Sequence, residues 1–232
     1  MLVSRNRCVF LFSRSPRHEA WAKGLPQAAE LVAFSARRVA EACARLGVDL
    51  VWIGDTAPVE GLQALPQRGA TFAERLWNAF ADVRALGYRD VVAVPTDVPE
   101  LSRTELGAAF DGLATCDVVV GPSPDGGVYL LATRENVEDR LSAVRWLTSS
   151  VFADLCREAR ASGLGLAALP PLADVDSLRD LSALARGTTD PVVTEVLRRL
   201  LAGEKVQARH AVVPVGASRR RRAVSRGPPL AA

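Results

Sequence analysis

Short runs of β-branched and apolar residues alternate along this chain with longer stretches in which apolar residues recur at helical spacing. The short runs are typical of buried strands, and the longer stretches are typical of helices that cover a sheet. This alternation predicts an α/β fold with a mostly parallel central sheet. The expected strands are Cys8 to Phe12, Val48 to Ile53, Val91 to Val94, Asp117 to Val120, Val128 to Ala132 and Leu166 to Leu169.

Several helix ends are marked by residues that satisfy free backbone groups. Thr71 stands three residues before Glu74, and Ser102 stands three before Glu105, which is the spacing of a capping box. Gly47 is a typical helix stop. The expected helices are Ala28 to Leu46, Thr71 to Leu86, Ser102 to Leu113, Ser150 to Ala161, Ser177 to Ala185 and Asp190 to Leu201.

Length and charge define the expected domain. The chain has 232 residues, 49% of them hydrophobic, which suits one globular domain over residues 1–205. The last sixteen residues hold five arginines and no acid, so the total charge of +3 leaves −2 for the rest. We therefore expect residues 206–232 to be a flexible Arg-rich tail, and we expect no nucleic-acid partner.

The sequence also bears on the cell compartment. No apolar run approaches the roughly 20 residues of a membrane-spanning helix, and the first residues do not resemble a signal peptide. The four cysteines show no CxxC spacing and no nearby histidine, so neither a zinc site nor a disulfide framework is indicated. A cytoplasmic location without a membrane span is expected, and the oligomeric state is left open.

Common catalytic signatures are missing. The chain has no GxxxxGK[ST] loop and no GxGxxG after its first strand, which argues against P-loop NTPases and Rossmann dehydrogenases. The two histidines, His18 and His210, give little support for a hydrolase triad. Other groups must carry the chemistry.

Asp97 is the first candidate, because it follows the strand Val91 to Val94 at its carboxyl end. Ligands of open α/β sheets bind at this edge. Mg²⁺ favours one or two carboxylates together with substrate phosphates and water, so a single carboxylate there suits a metal-bridged diphosphate. The alternative is that Asp97 only caps the turn into Pro99.

A turn of Asp125, Gly126 and Gly127 lies between two predicted strands. Glycines allow a backbone to approach a ligand closely. The competing explanation is that Asp-Gly simply makes a hairpin turn.

Asp174 and Asp176 lie two residues apart before a predicted helix. In an extended segment both carboxylates point to one face, so both could reach the same metal ion. The alternative is a helix cap, in which Asp176 or Ser177 satisfies free N–H groups.

Cations follow the first strand and face the same predicted edge. Arg14, Arg17 and Lys23 lie in that loop, where they could neutralise a diphosphate, although charged loops are commonly just solvated. Arg75 and Trp146 are weaker candidates for substrate binding, since a lone tryptophan is more often part of a core.

Taken in order, these segments resemble the bacterial DUF2064 family of GT-A-type, nucleotide-diphospho-sugar-transferase-like proteins, some of which are described as arsenosugar-biosynthesis glycosyltransferases. The similar stretches are Gln67 to Leu76 (QRGATFAERL), Val94 to Leu101 (VPTDVPEL), Asp117 to Leu131 (DVVVGPSPDGGVYLL), Arg145 to Thr148 (RWLT) and Asp174 to Leu181 (DVDSLRDL). The chain departs from the family after the first strand, where Ser13 to His18 (SRSPRH) replaces a pattern ending in KTRL, and Arg14 and Lys23 then supply the cations.

The resemblance implies a Rossmann-related GT-A sandwich and a set of site residues. Asp97, with Asp174 and Asp176, would hold Mg²⁺ or Mn²⁺. Asp125 would act on the acceptor as the catalytic carboxylate. Substrate binding would involve Arg14, Lys23, Arg75, Gly126, Gly127 and Trp146.

Three functions follow from this set. The first is metal-dependent transfer of a sugar from a nucleotide-diphosphate donor to a small acceptor. The second is nucleotidyl transfer, which joins an NTP to a small phosphorylated metabolite and releases pyrophosphate. The third is a catalytically silent binding module of the same fold, which the altered loop and the Arg-rich tail motivate.

Overall fold

The computed structural model describes residues 6–13, 25, 27–55, 57–135 and 137–203. Seven strands in it form one sheet in the order β3-β2-β1-β4-β6-β5-β7. Their bounds are β1 Arg7–Phe12, β2 Asp49–Ile53, β3 Gln63–Leu65, β4 Asp90–Val94, β5 Val118–Pro122, β6 Val128–Thr133 and β7 Leu166–Ala168. Only β6 runs antiparallel to its neighbours, β4 and β5. The predicted α/β class with a mostly parallel sheet is confirmed.

Six α-helices surround the sheet in the described part of the chain. They are α1 Ala28–Leu46, α2 Phe72–Ala85, α3 Arg103–Gly112, α4 Val151–Ala161, α5 Leu178–Gly187 and α6 Pro191–Leu201, with a 3₁₀ helix at Glu138–Leu141. The capping boxes of α2 and α3 are both formed, and Gly47 ends α1 with a φ of 67°. Helix starts and stops were therefore predicted closely from capping residues.

The central strand β1 is buried on both faces. Cys8 and Phe10 pack into a core beneath α2 and α4. Val9 and Leu11 pack into a second core beneath α1 and α3. A third cluster joins the start of α1 to α5 and α6. Alternate strand residues thus face two helical layers, as an α/β sandwich requires.

The strand order places a crevice at the carboxyl end of the sheet. From β1 the chain moves outward through β2 to β3, and then returns to β4 on the other side of β1. Such a reversal leaves the carboxyl ends of β1 and β4 without a connection crossing above them, and ligands of open α/β sheets bind there. Because β6 is reversed, the turn between β5 and β6 lies at this same edge.

One predicted boundary needs correction, and one strand was not predicted. The strand expected at Asp117 begins at Val118 and extends to Pro122, because its partner β6 continues the ladder to Val128. The short edge strand β3 was not expected at all, since Gln63 and Ala64 are exposed and carry no strand pattern.

The N-terminal loop and the C-terminal tail are outside this description. Arg14 and Lys23 lie outside the described residues, as does the tail predicted over 206–232. Within the described ranges, no helix is both long and apolar enough to cross a membrane.

Candidate active site

Asp97 lies where the crevice opens. β4 ends at Val94, and the next residues turn so that the hydroxyl of Thr96 donates to Ser13 Oγ at 2.8 Å. This buried bond ties the end of β4 to the end of β1. Asp97 follows directly and is partly buried. The predicted position at the carboxyl end of the sheet is therefore correct.

The segment after β7 brings Asp174 and Asp176 to Asp97. Leu169 N–H donates to Val120 O at 2.8 Å, and Leu172 N–H donates to Pro122 O at 3.3 Å. The segment then crosses to the end of β4, where Val175 N–H donates to the Asp97 carbonyl at 2.9 Å. One backbone hydrogen bond thus places the two aspartates that flank Val175 beside Asp97.

The pKa of Asp174 reflects the nearby acids. Burial raises the pKa of Asp174 from its usual 3.8, and the negative charges of Asp97, Asp176 and Asp125 raise it further, to about 6. Three predicted carboxylates, Asp97, Asp125 and Asp176, therefore act electrostatically on Asp174 at one edge. Their mutual repulsion would be relieved by a cation.

The acids suit a cation that arrives with a substrate. Within the described ranges, no three His, Cys, Asp or Glu side chains are grouped so that they could hold a metal ion. Mg²⁺ commonly takes one or two protein carboxylates and fills its other positions with phosphate oxygens and water. The side chains present fit that kind of shared site, with Asp97 and Asp174 as its most enclosed carboxylates.

The turn that carries Asp125 is a hairpin connection between β5 and β6. Ser123 N–H donates to Gly127 O at 3.0 Å, and Gly126 N–H donates to Ser123 O at 3.1 Å. Asp125 Oδ1 accepts from Gly127 N–H at 2.9 Å, and the residue is exposed. The hairpin interpretation is confirmed, and a ligand role for this turn stays a prediction.

Gly126 is required for a close backbone contact. Its φ is +91°, and a Cβ added here would lie 2.0 Å from the carbonyl oxygen of Ser149. Gly126 O also accepts from Phe152 N–H, in the first turn of α4, at 3.1 Å. The hairpin turn is therefore seated on the segment that precedes α4.

Arg75 lies near the start of α2, and Trp146 packs against aromatic rings of the same helix. Arg75 Nη1 donates to the carbonyl of Ala70 at 3.1 Å. The Trp146 ring packs against Phe72 and Trp77, with both centroid distances 5.6 Å, and its buried Nε1 has no hydrogen-bond partner among the described residues. Trp146 thus belongs partly to the core, and its role in substrate binding stays a prediction.

Gln67 is a site residue that sequence reasoning did not assign. Its Nε2 donates to the carbonyls of Ser13 at 3.0 Å and Ile53 at 3.3 Å. It therefore joins the carboxyl ends of β1 and β2 beneath the crevice. The only signal was its place in the QRGATFAERL stretch, because a bond to distant backbone carbonyls leaves no local pattern.

The strand order and the crevice at the carboxyl ends of β1 and β4 define a nucleotidyl- or nucleotide-sugar-transferase-like fold. The family described as "Uncharacterized protein conserved in bacteria (DUF2064)" matches residues 23–148, more than half of the chain. The chain belongs to this family, as its motifs indicated.

One curated relative is similar in sequence. It is the 3-phospho-D-glycerate guanylyltransferase of Phenylobacterium zucineum (strain HLK1), 35% identical over 121 residues. The match covers 49% of this chain and 52% of the relative, so it spans about half the length of that protein.

Two solved structures share the fold. One is a candidate nucleotide-diphospho-sugar transferase from Desulfovibrio desulfuricans G20, with a TM-score of 0.72 and 23% identity over 87% of this chain and 99% of that one. The other is a cytidylyltransferase from Leptospira borgpetersenii serovar Hardjo-bovis (strain JB197), with a TM-score of 0.53 and 11% identity over 88% and 99%. At these identities the likeness establishes the fold, and all three proteins are transferases by name.

Proposed function

We propose that this chain is a transferase that binds a nucleotide donor through a divalent cation at the Asp97 edge and passes part of the donor to a small acceptor. The observation that carries the proposal is the hydrogen bond from Val175 N–H to the Asp97 carbonyl, which places Asp174 and Asp176 beside Asp97 at the crevice. Burial, and then the charges of Asp97, Asp176 and Asp125, raise the pKa of Asp174 there. Carboxylates that lie close together at a sheet edge repel one another. A cation bound together with substrate phosphates would relieve that repulsion.

Each residue then has a role. Asp97 and Asp174 would hold Mg²⁺ or Mn²⁺, and Asp176, predicted as a third ligand, would add negative charge at the same edge. The bound cation would neutralise donor phosphates and stabilise the charge that develops on the leaving group. Asp125, exposed in its turn, would orient an acceptor hydroxyl or accept its proton. Arg75, Gly126, Gly127 and Trp146 would line the substrate side of the crevice, with Arg14 and Lys23 as further phosphate contacts.

Nucleotidyl transfer is the reaction that we place first. An oxygen of a small phosphorylated acceptor forms a bond to the α-phosphorus of a nucleoside triphosphate. The bond from that phosphorus to its β-bridging oxygen breaks, and pyrophosphate leaves. The 35% identical relative, which is named for guanylyl transfer to 3-phospho-D-glycerate, supports this reaction.

Glycosyl transfer is the second candidate, and one feature of the site favours it. Asp125 and Asp176 are both exposed at the rim of the crevice. A carboxylate rim suits a neutral, hydroxyl-bearing acceptor better than an anionic one, because an anionic acceptor would be repelled. In this reaction the acceptor oxygen attacks the anomeric carbon, and a nucleoside diphosphate leaves.

Thermal unfolding with candidate donors tests the step that both reactions share, which is metal-dependent binding of the nucleotide donor. The chain is heated with GTP, CTP, UTP, ATP or the corresponding nucleotide sugars, each with and without Mn²⁺. A ligand at 100 times its Kd stabilises by about 2.7 kcal/mol, or roughly 5 to 11 °C in Tm at this chain length. We expect a metal-dependent increase in Tm that is lost in Asp97→Asn.

The matched control is Asp111→Asn. Asp111 is an exposed carboxylate near the end of α3, at the opposite edge of the sheet, so its variant should keep the full shift. Product analysis then separates the reactions: pyrophosphate from GTP with 3-phospho-D-glycerate indicates nucleotidyl transfer, and a nucleoside diphosphate from a nucleotide sugar indicates glycosyl transfer. No shift with any donor would overturn both and leave a silent binding module.

A further inference from the structure

The segment from Arg145 to Ser150 lies between the 3₁₀ helix and α4 and supports the Asp125 turn. The carbonyl of Ser149 lies so close to Gly126 that no side chain fits between them. The first turn of α4 adds a second contact, since Phe152 N–H donates to Gly126 O at 3.1 Å. The place of the Asp125 turn therefore depends on where this segment is held.

Asp154 holds the segment. Its side chain is 1% exposed and accepts from Arg145 Nε at 2.8 Å, Arg145 Nη2 at 3.0 Å and the Arg145 backbone N–H at 3.3 Å. Arg157 Nη1 donates to the same carboxylate at 2.7 Å, and Ser150 Oγ donates at 3.5 Å. Hydrogen bonds to Arg145 keep the pKa of Asp154 well below its usual range. A buried carboxylate with charged, forked donors is a strong anchor.

The backbone of the segment is strained, which shows that it is held firmly. Leu147 has a φ of 60° and is the only non-glycine residue with positive φ in the described ranges. Its side chain packs little, being 76% exposed, so its own contacts do not stabilise that conformation. Strain of this kind persists where the surroundings over-determine a backbone, and such places cluster at functional sites.

Capping of α4 does not explain this arrangement. Ser150 stands at the N-cap, but its side chain makes no capping hydrogen bond. Asp154 lies one turn into the helix and directs its bonds back to Arg145 instead of to free N–H groups at the helix start. The carboxylate is thus used to fix the preceding segment.

We infer that Asp154 is a positioning residue of the transfer reaction: through Arg145 it fixes the segment against Gly126, and so fixes Asp125 relative to Asp97. The inference rests on the proposed function, in which Asp125 acts on the acceptor. It assigns donor binding and acceptor positioning to different residues. Donor binding depends on Asp97 and Asp174, whereas the position of Asp125 at the acceptor depends on Asp154.

The first test compares Asp154→Asn with Asp190→Asn. Asp190 is a matched control, since it too accepts from an arginine, Arg38 Nη2, at 2.8 Å, but it caps α6 away from the turn. A misplacement of about 1 Å can lower a rate on the order of 100-fold. We expect kcat of Asp154→Asn to fall by about 10- to 100-fold while the metal-dependent Tm shift given by the donor persists, and Asp190→Asn to keep its kcat.

Amide hydrogen exchange reports on position without requiring activity. In Asp154→Asn, exchange should rise at Gly126, Gly127 and Phe152, whereas in Asp190→Asn it should rise only around α6. An inactive wild-type chain would count against the proposed function alone, because exchange still decides whether Asp154 holds the turn. Unchanged exchange at Gly126 and Phe152 would overturn the inference.

A double-mutant cycle gives the sharpest result. Gly126→Ala disrupts the same contact from the other side, because its Cβ meets Ser149 O. If Asp154 acts through that contact, the losses in kcat of the two variants will not add in the double variant. Arg145→Gln serves as a milder second variant, since Asp154 then keeps Arg157. Additive losses, or a loss of donor binding that equals the loss of kcat, would exclude a positioning role.

Discussion

The pKa of Asp174 depends on residues from several parts of the chain. It comes from the segment after β7, yet the acids that raise its pKa come from the end of β4, from the β5–β6 turn and from two residues along its own chain. Its state therefore reports whether the whole edge is assembled and how much negative charge it holds.

The pH dependence of stability tests this directly. The pKa of Asp174 is about 6 when folded and 3.8 ordinarily, so the folded chain favours the protonated acid. Its contribution to stability is present below pH 3.8 and is lost as pH rises through about 6. In metal-free buffer the Tm of Asp174→Asn, relative to wild type, should increase from pH 4 to pH 7. A Tm difference that is independent of pH would show that neither burial nor the other acids shift the pKa of Asp174.

At this scale the sequence predicted where residues lie when their position follows from a strand end or a short motif. Strand ends and short spacings placed the four aspartates at one edge of the sheet, and their roles stay predictions. Gln67 and Asp154 were not predicted, because each contacts residues that become neighbours only after folding. Gln67 donates to the carbonyls of Ser13 and Ile53, and Asp154 accepts from Arg145.

Among the elements, α2 shows how a local signal places site residues. Thr71 Oγ1 accepts from Glu74 N–H at 3.1 Å, and Glu74 Oε2 accepts in return from Thr71 N–H at 3.1 Å and from Ala70 N–H at 2.7 Å. This capping box fixes the first turn of α2. The Phe72 ring packs there on the Phe12 ring, with 5.6 Å between the ring centroids, and Arg75 Nη1 donates to the carbonyl of Ala70. The start of the helix is thereby joined to the end of β1.

Thr71→Ala should therefore destabilise the chain by about 1 kcal/mol, the usual effect of losing an N-cap side chain. The free energy of unfolding is measured in urea. Thr115→Ala is the control, because Thr115 is exposed in a turn and bonds only locally, to Gly112 O at 3.3 Å. Equal stability of Thr71→Ala and wild type would mean that the box does not hold the helix start.

Helices with a capping box or a glycine stop were predictable in detail, whereas β3 was not. Its three residues gain their strand geometry from pairing with β2, at Val51 to Ile53, and have no periodic pattern of their own. The order of strands also could not be derived from local patterns. It follows from which apolar faces pack together, which is a property of the assembled sheet.

At the scale of the whole molecule, one sheet edge brings together segments that follow strands from β1 to β7. The carboxyl ends of β1, β2 and β4, the β5–β6 turn and the segment after β7 all meet there. The third core cluster fastens α5 and α6 to the start of α1 and includes the buried Val175, between Asp174 and Asp176. The last two described helices thus support the acidic edge.

A truncation series tests the predicted division of the chain. A chain ending at residue 205 should unfold in urea with the same midpoint and m-value as the full chain, because we expect residues 206–232 to add nothing to the core. A chain ending at residue 195 is the comparison. It loses the buried Val196, Leu197 and Leu200, and its unfolding midpoint should fall sharply. If the chain ending at residue 205 has a lower urea midpoint than the full chain, part of residues 206–232 contributes to the fold.

The hydrogen bond from Val175 N–H to the Asp97 carbonyl can form only after both residues have been synthesised, so the acidic edge is completed late during translation. Asp97 and Asp174 are separated by 77 residues of chain. At about 5–20 residues per second, a ribosome needs roughly 4 to 15 s to pass from one to the other. Throughout that interval the nascent chain carries β1 and β4 with an incomplete acidic edge. Under the proposed function, cation affinity would therefore arise late in translation, and a product released early by a stalled ribosome would lack it.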